Sequence, residues 1–408
     1  MKRSKWIFVV SLLVPVALLG AACGEDEPTT SGGGGGGGCD EKIPVSLHYQ
    51  GALSGPYSYL VIPGYQGSQI AVDELNADEN FCAEITLEKA DTQGDPAQAP
   101  PVIEQVVSDP NTVAVVGPGF SGESAASGDT YEEATIPFVS PSATNPSLAE
   151  EGWQYWYRAI GNDAGQGSNA GRYIATVLEA KKLFVAHDKS DYGQPLAEVT
   201  RDTAEGEGVE IVGFEGIETG QDDYSAVVSS VEASGADTLF FGGYDADFGK
   251  IVKQLDEGGV DVTPMSGDGS VSSTLLEVAG PAADGVHLII PSNLGGDFVE
   301  KYNSEIGGDA SSVPVYAAEG YDVTNMIAEG IQQAIDGGAT DPESIRAGVQ
   351  EYLLSLVEGE SFSGVAKDYT FDEKHELSAD PYDSLYYFYE VEGGEMSEVG
   401  NAVEVLGG

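Results

Sequence analysis

Two groups of side chains in this chain have the types and spacing to hold a small dipolar molecule. The first lies between Thr112 and Pro146. Val113 to Val116 is an apolar run that stops at Gly117, Pro118 and Gly119, which reads as a buried strand ending in a glycine-bearing turn. Ser121 stands at the expected N-cap of a following helix, so the backbone N–H groups of Ser121 and Gly122 should point off the carboxyl edge of the sheet. A second strand, Ile136 to Val139, runs into Ser140, Pro141, Ser142, Ala143 and Thr144 on the same edge. Two adjoining loops thus offer hydroxyls and free amides to one carboxylate, without a basic side chain.

The second group comes later in the chain. Tyr192 follows a strand at Leu183 to His187, Tyr244 follows one at Thr238 to Phe241, and Asp268 follows Met265, Ser266 and Gly267. Two phenols and a carboxylate suit the positive end of the same molecule. Singly, each has a plain structural reading, since a Tyr after two glycines is a rim residue and an Asp between glycines forms turns. Their joint placement at successive strand ends is the informative observation.

Other chemistries are poorly served. Gly117-x-Gly119-x-x-Gly122 has the spacing of a dinucleotide fingerprint, but strand and helix units precede it and the next strand ends in Val139 and Ser140, not in the acid that would hold a ribose. His48, His187, His287 and His375 are far apart, so no metal and no cofactor is expected. No Ser-His-acid set stands out. With 17 Lys and Arg against 68 Asp and Glu, the net charge of -51 repels nucleic acid and anionic lipid and keeps the surface solvated.

The elements that must position these residues alternate strand and helix. Ile43 to Tyr49 leads to a helix with Gly67, Ile70, Ala71 and Leu75 on one face. Glu84 to Ala90 leads to a helix bearing Val102, Ile103, Val106 and Val107. Near Arg158 to Gly161 the pattern restarts, with strands at Leu183, Val209, Thr238 and Gly285. A mainly helical tract follows, whose best helix runs from Tyr321 to Ile331. Tyr369 to Glu376 and Ser384 to Val391 read as late strands. The fold class is therefore α/β, with two doubly wound lobes whose sites lie at the strand carboxyl ends. The returning tract places lobe 1 at 40–160 and 290–370, and lobe 2 at 161–289 and 371–408.

The start of the chain is a separate matter. Lys2, Arg3 and Lys5 precede an apolar run from Trp6 to Leu19, the pattern of an export signal over residues 1–22. Leu18-Leu-Gly-Ala-Ala-Cys23 resembles a bacterial lipoprotein processing site, with Gly20 where an aliphatic residue is usual. An ordinary signal peptide and an uncleaved anchor are the alternatives. Residues 23–39 include seven consecutive glycines and read as a flexible tether. Cys39 and Cys82 each precede a strand. Neighbouring parallel strands would bring them together, so a disulfide is expected in an exported chain, with two free thiols as the alternative.

From Ile43 to Val391 the chain resembles the type I periplasmic binding proteins of branched-chain amino acid uptake, the leucine/isoleucine/valine-binding family. The matching motifs are Leu53-Ser-Gly-Pro56, Ser140-Pro-Ser-Ala-Thr-Asn-Pro146, His187-Asp-Lys-Ser-Asp-Tyr-Gly193, Gly242-Gly-Tyr244 and Phe371-Asp-Glu-Lys374. The resemblance implies two lobes joined by three crossings that close on the ligand. It assigns Ser121, the backbone at Ser142, and Thr144 to the ligand carboxylate with a share in holding its ammonium, gives Tyr192, Tyr244 and Asp268 to lining the site and binding the ammonium, and counts Ala143 among the ligand-binding residues. Asp268 stands where the family has Glu. Leu60 stands where it often has an aromatic residue, so Tyr57, Tyr59, Leu60 and Phe120 are expected to shape the side-chain pocket. Gly94 and Phe120 occupy the family's disulfide positions.

What the resemblance implies is a monomeric, lipid-anchored component of an ATP-driven importer, outside the cytoplasmic membrane. Its partners would be a small amino acid and a membrane permease. Binders of amides, urea or aromatic acids share the fold. A sensory ectodomain would need a transmembrane segment after Val391, and a nucleotide-dependent enzyme would need the missing ribose acid.

Overall fold

The computed structural model describes residues 39, 41–307 and 314–407. The export signal, Cys23 and nearly all of the tether lie outside these residues. Among the described residues no helix is long and apolar enough to cross a membrane.

A first sheet holds β1 (Ile43–Gly51), β2 (Ala83–Asp91), β3 (Thr112–Val116), β4 (Phe138–Ser140) and β5 (Trp156–Arg158), in the order β2-β1-β3-β4-β5 and parallel throughout. The helices of this half are α1 (Ser58–Ala77), α2 (Ala99–Ser108) and α3 (Ser121–Glu133). Every residue of β3 is buried, as a central strand covered on both faces requires, whereas the edge strand β2 alternates.

The second half begins with α4 (Asp163–Thr176), capped by the Asn162 side chain, which accepts from the N–H groups of Ala164 and Gly165. It continues through β6 (Lys182–His187), α5 (Gly193–Gly206), β7 (Glu210–Gly216), α6 (Ser225–Ser234), β8 (Thr238–Gly242), α7 (Asp245–Gly258), β9 (Thr263–Ser266), α8 (Ser273–Ala279) and β10 (His287–Ile290). The chain then returns with α9 (Phe298–Ile306), α10 (Ala317–Asp336) and α11 (Pro342–Val357). A small hairpin, β11 (Phe362–Ser363) and β12 (Asp368–Tyr369), leads to β13 (Tyr387–Glu392), β14 (Glu395–Asn401) and α12 (Ala402–Leu406). The second sheet has the order β14-β13-β10-β9-β8-β6-β7, with β13 and β14 antiparallel to their neighbours and the rest parallel.

Helices α10 and α11 pack against α1 and β3, so the polypeptide passes from one sheet to the other three times. Glycine makes the first of these contacts. A Cβ on Gly320 would lie 2.1 Å from the Gly64 carbonyl oxygen, and one on Gly67 would lie 2.0 Å from that of Ala317. The Ser68 hydroxyl then reaches the Gly320 carbonyl at 2.9 Å.

Three expectations need correction. Tyr369 to Glu376 is not a continuous strand: Tyr369 pairs through β12, Phe371 and Glu376 make only isolated bridges to Leu377 and Arg158, and the chain turns between them. One Asp372 carboxylate oxygen accepts from Lys374 and Glu376 N–H groups at 2.8 and 3.0 Å, and His375 has a positive φ of 61°. That turn puts the His375 ring flat on Tyr157, centroids 4.4 Å apart, and its carbonyl on the Arg158 N–H. Strand β4 begins at Phe138, two residues later than Ile136, because Pro137 cannot donate to the ladder. The late strand begins at Tyr387, after a 3-10 turn at Tyr382–Leu385. Cys39 and Cys82 form a disulfide at the start of the paired strands β1 and β2.

Candidate functional site

The turn after β3 is shaped by close approach. Gly117 has φ 125°, and a Cβ there would lie 2.5 Å from the Gln50 carbonyl oxygen. Phe120 occupies the cap position and Ser121 is the first helical residue, which corrects the expected N-cap. Glu123, not a serine, closes this end: its carboxylate accepts the Phe120 N–H at 3.2 Å. The loop after β4 is tied to the same turn. Ser140 Oγ donates to the Pro118 carbonyl at 2.7 Å and accepts from the Ala143 N–H at 2.9 Å. Ser142 Oγ donates to the Gly119 carbonyl at 2.8 Å, and Ser121 Oγ accepts from the Asn145 N–H at 3.2 Å. Ser142 has thus committed its hydroxyl proton, while Ser121 keeps its own to donate.

Opposite stand the ends of β6, β8 and β9. Asp268 accepts from the Tyr192 hydroxyl at 2.8 Å on one oxygen and from the Tyr316 hydroxyl on the other. The Tyr192 oxygen in turn accepts from the Gly269 N–H at 3.0 Å. Burial raises the pKa of Asp268, against the lowering effect of bonds from Tyr316, Gln166 and Tyr192. Asp163, buried at the first turn of α4, is pushed well up by desolvation and then by Asp268, and neither of its oxygens has a well-formed donor. The nearby guanidinium of Arg158 is already engaged by Glu376 at 2.8 Å and by the carbonyls of Ala143 and Asn145. Asp268 therefore lines the cavity with no free protein cation among the contacts described, and Asp163 is not among the lining residues.

Ser121, Ser142 and Thr144 from the first half, and Tyr192, Tyr244 and Asp268 from the second, line one cavity of about 20 Å³. Leu60, Phe120 and Tyr316 close it. Direct bonds span the two halves around it: Asn145 Nδ2 donates to the Asp191 carbonyl at 2.6 Å and the Tyr59 hydroxyl to the Gly269 carbonyl at 2.9 Å. This is a shut cleft. Three expected residues lie elsewhere. Ala143 is buried behind the cavity with its carbonyl on Arg158. Tyr59 is spent on the cross-cleft bond. Tyr57 packs outside, edge-on to Phe120 and tilted against Tyr244. The Gly117-x-Gly119-x-x-Gly122 turn is unsuited to phosphate, because a Cβ on Gly122 would lie 3.0 Å from the Asp191 carboxylate, a negative charge at its mouth.

The model of the periplasmic binding protein family matches residues 49–395. The chain belongs to that family. The amino acid binding protein of Pseudomonas aeruginosa is 33% identical to this periplasmic binding protein over 330 residues, 78% of this chain and 83% of that one. The Leu/Ile/Val-binding protein homolog 1 of Brucella melitensis is 30% identical over 351 residues, 84% and 89% of the two chains. Among solved structures, the branched-chain amino acid transporter substrate binding protein LivJ of Streptococcus pneumoniae, in complex with isoleucine, aligns with a TM-score of 0.75 at 25% identity. That alignment covers 88% of this chain and all of that one.

Sequence reasoning missed Tyr316, Asp163 and Gln166 in this periplasmic binding protein. Tyr316 sits at the start of α10 in a left-handed conformation, φ 67°, which aims it back at Asp268 from 48 residues away. The one signal was an aromatic residue just ahead of the best helix. Asp163 and Gln166 lie one turn apart on α4, where the sequence showed only a restart of the pattern.

Proposed function

We propose that this chain is the extracytoplasmic solute-binding component of an ABC-type importer and takes an aliphatic L-α-amino acid. What carries the reading is the opposition across a closed cavity of Asp268, with its two tyrosine hydroxyls, to the Ser121 and Thr144 donors. The ligand ammonium meets Asp268 and its carboxylate meets the α3 N-terminus, the Ser121 hydroxyl and Thr144. Paired in this way, both charges leave water with a partner, which a dry site requires. Relatives named for leucine, isoleucine and valine support the class of ligand.

Lobe 1 comprises 40–160 and 290–370, lobe 2 comprises 161–289 and 371–408, and the three crossings between them are the hinge. The ligand is bound and released without turnover, the monomer delivers it to a membrane permease, and Cys23 carries the lipid that anchors the exported protein. Isothermal titration with L-alanine, L-valine, L-isoleucine and L-leucine tests the binding reading, and absence of heat with all four refutes it. Labelling of the protein by a fatty acid, lost in Cys23→Ser, tests the anchor.

A further inference from the structure

One wall of the ligand cavity is a partition of packed rings. Phe120, Tyr57 and Tyr244 form a triangle of rings: Phe120 lies 6.2 and 5.7 Å from the two tyrosines, centroid to centroid, and the tyrosines meet at 5.0 Å. Tyr192 backs Tyr244 at 5.3 Å. Beyond the partition lies a second cavity of about 310 Å³, also bounded by Phe120, Tyr192 and Tyr244. On the ligand side only about 20 Å³ is free, where a single water needs about 10–15 Å³. Space in this part of the cleft is therefore apportioned by rings and not by the depth of the fold.

The partition is held from several sides. The Phe120 N–H donates to Glu123, and its carbonyl accepts from the Ser124 N–H at 2.9 Å and the Ser124 hydroxyl at 3.0 Å. Gly119 beside it already packs against Val61, to which an added Cβ would come within 3.0 Å. Across the cavity Leu60 and Tyr316 are buried, and Tyr316 is fixed by its bond to Asp268. The free volume is below that of any amino acid, so ligand binding moves these groups, and the longer the side chain the further the rings must move.

Resting on the amino acid reading above, we infer that this site selects short side chains, from alanine to valine in size, and that Phe120 sets the limit. Each methylene beyond that size displaces a packed ring, whereas the acid and amine ends keep the same partners. A pocket wall of this kind discriminates by about 10–200-fold per methylene.

The test is isothermal titration of the full chain, and of Phe120→Ala and the gentler Phe120→Leu, with L-alanine, L-valine and L-leucine. In the wild-type protein, L-leucine binds about tenfold or more weaker than the tighter of the other two. Phe120→Ala, which opens the ligand side to the second cavity, narrows or inverts that ratio by about tenfold; should it fail to fold, Phe120→Leu moves the ratio in the same direction. L-Leucine binding tightest to the wild type overturns the inference while leaving the amino acid reading intact. A ratio unchanged in a folded Phe120 variant also overturns it. No heat with any of the three refutes the parent reading and the inference with it.

Discussion

Replacing Asp268 by Asn removes one negative charge and almost no volume, which separates the carboxylate's role in binding from its role in packing. The residue is buried, accepts from Tyr192 and Tyr316, and has no ion-pair partner among the described residues. On the proposed reading, the ligand ammonium is the counter-charge that Asp268 meets. Truncating one member of a buried, hydrogen-bonded charge pair costs about 2–5 kcal/mol. Asn still offers one acceptor and one donor to the two hydroxyls, which can rotate, so the loss falls on the ligand. We expect Kd to rise by roughly 2–4 kcal/mol, about 30- to 1,000-fold.

Stability should move the other way. Burial raises the folded-state pKa of Asp268, so its favourable contribution is full below the unfolded value of 3.8 and fades as pH climbs toward the raised folded value. At pH 7 the ligand-free wild type bears that penalty and Asp268→Asn does not. The variant should melt at or above the wild-type temperature while losing its ligand. Titration calorimetry and thermal melts at pH 7 read both quantities. An unchanged Kd removes Asp268 from the ammonium site, and a lower melting temperature with a proportionate loss of affinity makes it a structural residue.

Three further perturbations follow from the same geometry. Arg158→Met leaves Glu376 without its guanidinium in a buried setting, and should cost about 3–5 kcal/mol in urea unfolding. Replacing Cys39 and Cys82 by Ser opens a 43-residue separation, and should lower stability by about 2–4 kcal/mol in the same assay. Glu123 is pushed to about 7 by burial, so its contribution is full below 4.5 and lost as pH rises to 7. Glu123→Gln should flatten the stability profile across that window by up to about 1.4 kcal/mol per pH unit, and an unchanged slope assigns the titration to another group.

Much of the site could be read from local signals. Strand ends in an α/β chain announce themselves by an apolar run and a glycine or proline, so Ser121, Thr144, Tyr192, Tyr244 and Asp268 all fell on one cavity. What escaped was set by distance in sequence or by brevity. Tyr316 reaches Asp268 only because the returning chain adopts a positive φ at that point. Strand β5 has three residues and leaves no periodicity to detect. The Thr370 to Glu376 segment is mostly polar and turns back on itself, with the Asp372 carboxylate taking the Lys374 and Glu376 amides. Tyr57 and Tyr59 lay close to the expected wall but were claimed by rings and by the opposite edge.

The guanidinium of Arg158 grips two carbonyls of the loop that carries Thr144 and, through Glu376, the last stretch of chain to return between the sheets. On the proposed hinge, loop order and hinge stiffness should therefore change together. The rate at which a captured molecule escapes should respond to substitutions at position 376, which does not line the cavity, as strongly as to changes among the hydroxyls that do.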